Sequence, residues 1–224
     1  MKRIGKMTML VLMAAMLCLC VVAASQALNL TEETVIIQPE PVALRMDQLA
    51  GQTVLVAVGE YEDTEHLLTL TVLEKLRFAA EAVEGLQPGD ALDLDGELLV
   101  VREIEPMTYL LLLDDGSGVD EASVWLKKGE DGDYEAGQYS DFLWRQVGSA
   151  PFAVAQDAQF LDGIDPEYGD MLESPTMHSM EEFLRIKEGE EARGYPGFGC
   201  DNVWAAFNAE GEIASLERFY VPWQ

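Results

Sequence analysis

The sequence predicts a β-rich α+β protein: an antiparallel, barrel-like meander followed by a strand–helix–hairpin unit. Three observations point to it. Turn signals built from Gly, Pro and Asp recur about every ten residues from Gln52 onward. The stretches between them either alternate apolar with polar residues or are apolar throughout. One late segment, "HSMEEFLRIKEGE", carries a full helix signature.

The 224-residue chain opens "MKRIGKMTMLVLMAAMLCLCVVAASQA". A basic start, an uncharged run over 7–24 and the small pair Ser25 and Ala27 are expected to form a secretory signal peptide, residues 1–27, cleaved after Ala27. A retained membrane anchor is the alternative, because the apolar run is long enough to span marginally, but no basic flank comes after it. A lipid-anchored Cys20 would need a small preceding residue and has Leu19. Residues 28–44 come next as an extended linker or edge strand, with Pro39 and Pro41 favouring extended backbone. Asn29-Leu30-Thr31 matches a glycosylation sequon, a common chance pattern.

Residues 45–147 form the expected barrel-like domain. "TVLVAVG" is apolar on both faces and reads as a central strand. "LLTLTVL" alternates, with Leu68, Leu70 and Val72 inward and Thr69 and Thr71 toward water. "EKLRFAAEAVEG" fits helix by composition and strand by alternation. The turn and hairpin signals C-terminal to it favour strand. Pro88-Gly89-Asp90 marks a turn. Asp95-Gly96 predicts a type I′ hairpin, because both central residues need positive φ. "TYLLLLDDGSG" and "ASVWLKKGEDGDY" continue as strand, glycine turn and strand.

Residues 151–224 form the second expected unit, separate or continuous with the first. A strand runs around Phe152–Phe160. Ser179 and Glu182 make a capping box, Met180, Phe183 and Leu184 an apolar face, and Gly189 a natural stop. A closing hairpin turns near Glu210-Gly211. Ile213 and Leu216 have opposite parity in its return strand, which implies a bulge or burial on both faces.

"GLQPGDALDLDGELLVV" resembles small bacterial β-barrel modules of the SH3-like and OB-like kind over about twenty residues. "PFAVAQDAQFLDG", "HSMEEFLRI" and "DNVWAAFNAEGEIASLERFYVP" together resemble secreted or cell-envelope bacterial proteins. The resemblance implies architecture and brings no catalytic residues.

Charge narrows the partners. With 14 basic and 41 acidic residues the chain carries −27. Loss of residues 1–27 removes Lys2, Arg3 and Lys6 and no acid, leaving 197 residues at −30. Such a surface repels nucleic-acid phosphates and anionic lipid, so neither nucleic acid nor, once the leader is gone, membrane is an expected partner. An extracellular protein or polysaccharide is. Oligomeric state is not legible. Cleavage also removes Cys18 and Cys20, so Cys200 alone remains and no intrachain disulfide forms.

The candidate reactive residues are few. Cys200 in "PGFGCDN" would need a base, for which His178 is placed just before the helix, and Asp201 or Asn202 as orienting group. The alternatives are a free thiol packed as a small hydrophobe and a dimer linked through Cys200. With 41 acids and no fold-specific motif, no glycosidase pair can be chosen. Calcium is the cation to weigh, on Asp114, Asp115 and Asp120 of "DDGSGVDE" and Asp131, Asp133 and Glu135 of "EDGDYE". The EF-hand template fails there, since Ala136 stands for Gly and Phe142 for Glu. Solvated turns are the alternative, and no other cofactor is implied. Trp125, Trp144, Trp204 and Trp223 suit core packing or a sugar-stacking platform. No P-loop, dinucleotide-binding glycine pattern, nucleophile elbow or His-Glu-x-x-His occurs. The expectation is a secreted or envelope-associated, non-catalytic binding or accessory module, with a small hydrolase using Cys200 and His178, or a purely structural domain, as alternatives.

Overall fold

The computed structural model describes residues 34–115, 123–139, 141–165, 167–193, 198 and 202–220. In chain order the elements are β1 (Ile36–Ile37), a 3-10 turn (Met46–Gln48), β2 (Thr53–Glu62), β3 (Leu67–Lys75), β4 (Arg77–Phe78), α1 (Ala80–Glu84), β5 (Ala91–Asp93), β6 (Leu98–Val100), β7 (Glu103–Pro106), β8 (Leu110–Asp114), β9 (Val124–Lys128), β10 (Tyr134–Gln138), β11 (Asp141–Phe142), β12 (Trp144–Ile164), β13 (Met171–His178), α2 (Met180–Arg193), β14 (Val203–Phe207) and β15 (Ile213–Arg218). The chain is β-rich α+β, as the sequence predicts. It groups into two units: the chain up to Pro39 with Phe78–Tyr134, and Glu40–Arg77 with the chain from Glu135 onward. The sequence boundary between 147 and 151 falls inside β12.

The second unit is a ring of strands. Order β12–β15–β14–β2–β3 closes because β12 also pairs with β3, and β13 lies outside on β12. Closure is possible because β12 is 21 residues long and changes partner along its length. Trp144–Ala153 pairs antiparallel with β3, and Val154–Asp162 parallel with β15. Between Val154 and Gln159 its register shifts against β15, a bulge that bends the strand round the corner. Beside the end of β15, a Cβ on Gly163 would stand 2.8 Å from the carbonyl oxygen of Arg218. Gly163→Ala should therefore force this pair apart and cost about 1–3 kcal/mol, read as a lower midpoint in urea unfolding.

The predicted alternation fills the ring. Leu68, Leu70 and Val72 are fully buried, as are Val56, Val203, Ala205 and Ile213. Phe160, Phe183 and Phe198 complete the core, with Phe160 and Phe183 stacked at 4.7 Å and Phe198 edge-on to Phe183 at 5.0 Å. In β15 the extra residue Ala214 slips the register between Ile213 and Ser215, so Ile213 and Leu216 both face inward. The turn before it is held by Asn208, whose Oδ1 accepts from Glu210 N (3.1 Å) and Glu212 N (2.8 Å). Outside the core, Arg145 is buried and donates to Glu74 Oε1 (Nε 3.0 Å) and to the carbonyl of Glu40 (2.5 Å).

The first unit pairs β1 parallel with β5 and β5 antiparallel with β6, so the described end of the expected linker includes a short edge strand. Asp95 and Gly96 both have positive φ (61° and 99°), as the predicted hairpin requires. Strands β7, β8 and β9 form an antiparallel meander.

Two local expectations are corrected. Residues 80–84 are helix, not strand, and the helix gains its missing cap from far away: Asp133 Oδ1 accepts from Ala80 N at 3.1 Å. Gly189 does not end α2, which runs on to Arg193. The reason is Glu190, whose buried ion pair with Arg218 outweighs the roughly 1 kcal/mol that glycine costs a helix interior. Among the described residues no helix is long and apolar enough to cross a membrane.

Candidate functional site

Three strands and a helix bring charge into the ring's interior. Arg218, near the end of β15, is 2% exposed. Its Nε and Nη2 donate to Asp162 Oδ1 and Oδ2 of β12 at 2.8 and 2.7 Å. Its Nη1 donates to Glu190 Oε2 of α2 at 2.5 Å. The guanidinium carbon lies 4.1 Å from the centre of the Phe198 ring, a cation–π contact. Burial works against the charge on Arg218, and the hydrogen bonds to Asp162 and Glu190 more than offset it, so its pKa is raised. The fork shape of arginine suits this bidentate pairing, and lysine would not replace it.

His178 ends β13 beside this cluster. Its Nε2 is 3.8 Å from Asp162 Oδ2 and has no hydrogen-bond partner. A cavity lined by Phe160, Asp162, His178, Phe183, Phe198 and Arg218, among others, has room for about one water. Asp162, the carboxylate nearest the imidazole, accepts from Arg218 through both oxygens, which leaves each a further lone pair. Of the other members of the sequence-derived constellation, Cys200 and Asp201 lie outside the described residues, and Asn202 stands just before β14, its carbonyl accepting from Phe219 N at 2.9 Å.

The helix that supplies Glu190 starts as predicted. Ser179 N donates to Glu182 Oε2 (3.1 Å) and Glu182 N to Ser179 Oγ (3.3 Å), the reciprocal capping box. Hydrogen bonds from the Ser179 backbone and side chain lower the pKa of Glu182. A depressed carboxyl pKa stabilises the fold fully above the unfolded value, near 4.3, and that contribution is lost as pH falls through the folded value. Ser179→Ala is expected to lower Tm by about 2–4 °C at pH 7 and by less at pH 3, as followed by circular dichroism.

The acidic turns do other work. Asp133 caps α1 through Ala80 N, and Asp131 Oδ1 accepts from Asp133 N at 3.3 Å. Glu135 pairs with Lys75 at 3.0 Å. Asp114 Oδ2 accepts from Ser123 Oγ at 3.3 Å. Asp115 has partners within the chain, and Asp120 lies outside the described residues. Among the described residues no three His, Cys, Asp or Glu side chains converge to hold a metal ion. A thermal melt in millimolar calcium tests these turns: a site of micromolar affinity would raise Tm by several degrees, and an unmoved Tm would remove the idea.

The remaining arrangement is on the first unit, where the meander turns one face inward and one outward. Leu113, Val124 and Leu126 are buried on the inner face. On the outer face Glu105, Leu112 and Trp125 stand side by side across β7, β8 and β9, and Leu110 stands beside Lys127. Glu103 and Asp114 form the next row. The turn between β7 and β8, closed by Met107 N to Leu110 O at 2.8 Å, projects Met107 and Tyr109, 54% and 82% exposed. This half-buried apolar strip, bordered by Glu103, Glu105 and Asp114 with Lys127 beside Leu110, is legible only in part: the run "LLLLDD" shows apolarity on both faces, but not which leucines remain accessible.

Of the four tryptophans, Trp125 lies on this face. Trp144 packs edge-on to Phe142 at 6.2 Å, and Trp204 stacks on Phe219 at 6.1 Å. Trp223 lies outside the described residues. No family model matches this chain, and neither does any curated protein or any solved structure.

Proposed function

We propose that this chain is an exported, non-catalytic module that binds another protein through the outer face of β7, β8 and β9. The leader-like first 27 residues support export. The single observation that carries the binding reading is the strip of Leu110, Leu112 and Trp125, topped by the exposed Met107 and Tyr109. An apolar centre with an aromatic anchor and a charged rim is the anatomy of a protein interface. Aliphatic side chains predominate in it, which favours a protein over a polysaccharide, since sugars need convergent polar donors around a ring. Glu103, Glu105 and Asp114, on a chain of net charge −27, call for a partner whose apolar segment is flanked by Lys or Arg, and disfavour a second copy of the chain.

The hydrolase reading with Cys200 and His178 has less support. The group beside His178 is already committed to Arg218, and the adjoining cavity suits a water, not a substrate. Cys200→Ser should leave the module's binding unchanged.

A photo-crosslinking residue placed at Tyr109 in exporting cells tests the proposal. It should give a protein adduct absent when the same probe replaces the exposed Glu97 on the β5–β6 turn. Equal adducts at both positions, or none that contains protein, would contradict it.

A further inference from the structure

The structure assigns His178 a role as a proton-operated latch on helix α2. Asp162, Glu190 and Arg218 are all buried, and the three together carry one more negative charge than positive. Buried charge of one sign is costly unless a counter-charge sits beside it. The titratable and charged groups set against the imidazole are Asp162 from β12, Glu182 from the first turn of α2 and Arg218 from β15, and Arg218 links them to Glu190 of the last turn of α2. They amount to three carboxylates against one guanidinium.

A proton on the ring removes two deficits together. Both ring nitrogens become donors, so the unpartnered Nε2 gains an acceptor in Asp162 Oδ2, 3.8 Å away. The excess negative charge is cancelled at the same step. A proton on the ring therefore tightens α2 against β12 and β15, and its loss loosens it, the behaviour that suits histidine to switching near neutral pH. Neither Arg218, which stays charged throughout, nor the Ser179–Glu182 cap, which weakens only at lower pH, produces a step there.

The chain has only two histidines, which makes the test clean. The other, His66, has its Nδ1 2.8 Å from the Tyr61 hydroxyl. Amide hydrogen exchange of α2 in the full chain, corrected for intrinsic rates, should show protection about threefold or more higher at pH 5.5 than at pH 7.5. His178→Gln should abolish that ratio, and His66→Gln should keep it. Survival of the step in His178→Gln, or its absence from the unaltered protein, would overturn the assignment. Should His178→Gln fail to fold, proton NMR of the unaltered chain decides: α2 amides must shift with the same midpoint as the His178 ring, and separate midpoints would overturn it.

Discussion

Arg218→Met is expected to destabilise the ring by about 3–5 kcal/mol, because it leaves Asp162 and Glu190 as buried carboxylates without a cation. At this size that corresponds to a fall in Tm of roughly 6–20 °C. The physical cause is desolvation and not the loss of two attractive contacts, and a combined variant separates the two. Arg218→Met with Asp162→Leu and Glu190→Leu removes all the charge and should recover most of the loss, since apolar groups of similar volume often replace a buried ion cluster at little cost. A loss below about 1 kcal/mol for Arg218→Met alone would mean that water reaches the cluster. Chemical denaturation with a probe on α2 reads both variants.

The second large effect concerns binding. Leu112→Asp combined with Tyr109→Ala should weaken partner affinity by at least about a hundredfold, the scale of losing a central interface anchor. The same pair should shift Tm by no more than about 2 °C, because Leu112 lies on the outer face of the meander and Tyr109 is exposed in its β7–β8 turn, while Leu113, Val124 and Leu126 hold the inner face. Calorimetry with the partner captured through position 109 gives the affinity, and a thermal melt of the free variant gives the stability. Lost affinity accompanied by a large fall in Tm would show that Leu112 belongs to the core.

Particular residues explain what can be read from the sequence. Leu68, Leu70 and Val72 alternate with threonines, and a period of two has one structural meaning. Asp95-Gly96 and the Ser179–Glu182 box are local chemistry, complete within four residues, so they appear where predicted. Even the bulge of β15 is implied by the parity of Ile213 and Leu216. Strand β13 escapes sequence reasoning for an equally physical reason. "MLESPTMH" is an exposed edge strand carrying a proline, so no burial pattern writes it into the sequence. The helix over 80–84 depends on Asp133, about fifty residues away, and the extension of α2 past Gly189 depends on Arg218. Such long-range partners override local propensity without leaving a local sign.

The candidate sites divide the same way. His178 stands out because histidine is scarce here, yet its neighbours Asp162, Glu190 and Arg218 look like any other charges among the chain's 41 acidic and 14 basic residues. Only folding sets them together. The calcium candidates rest on the density of carboxylates on turns, and the partners that folding gives Asp131, Asp133 and Glu135 within the chain leave no mark in the sequence.

Hydrogen exchange of the full chain with and without the protein captured at Tyr109 bears most directly on the binding reading. Protection should rise in residues 103–128 and stay level in β12, α2 and β15. Protection gained around His178 and Arg218 instead, with none in β7 to β9, would contradict it.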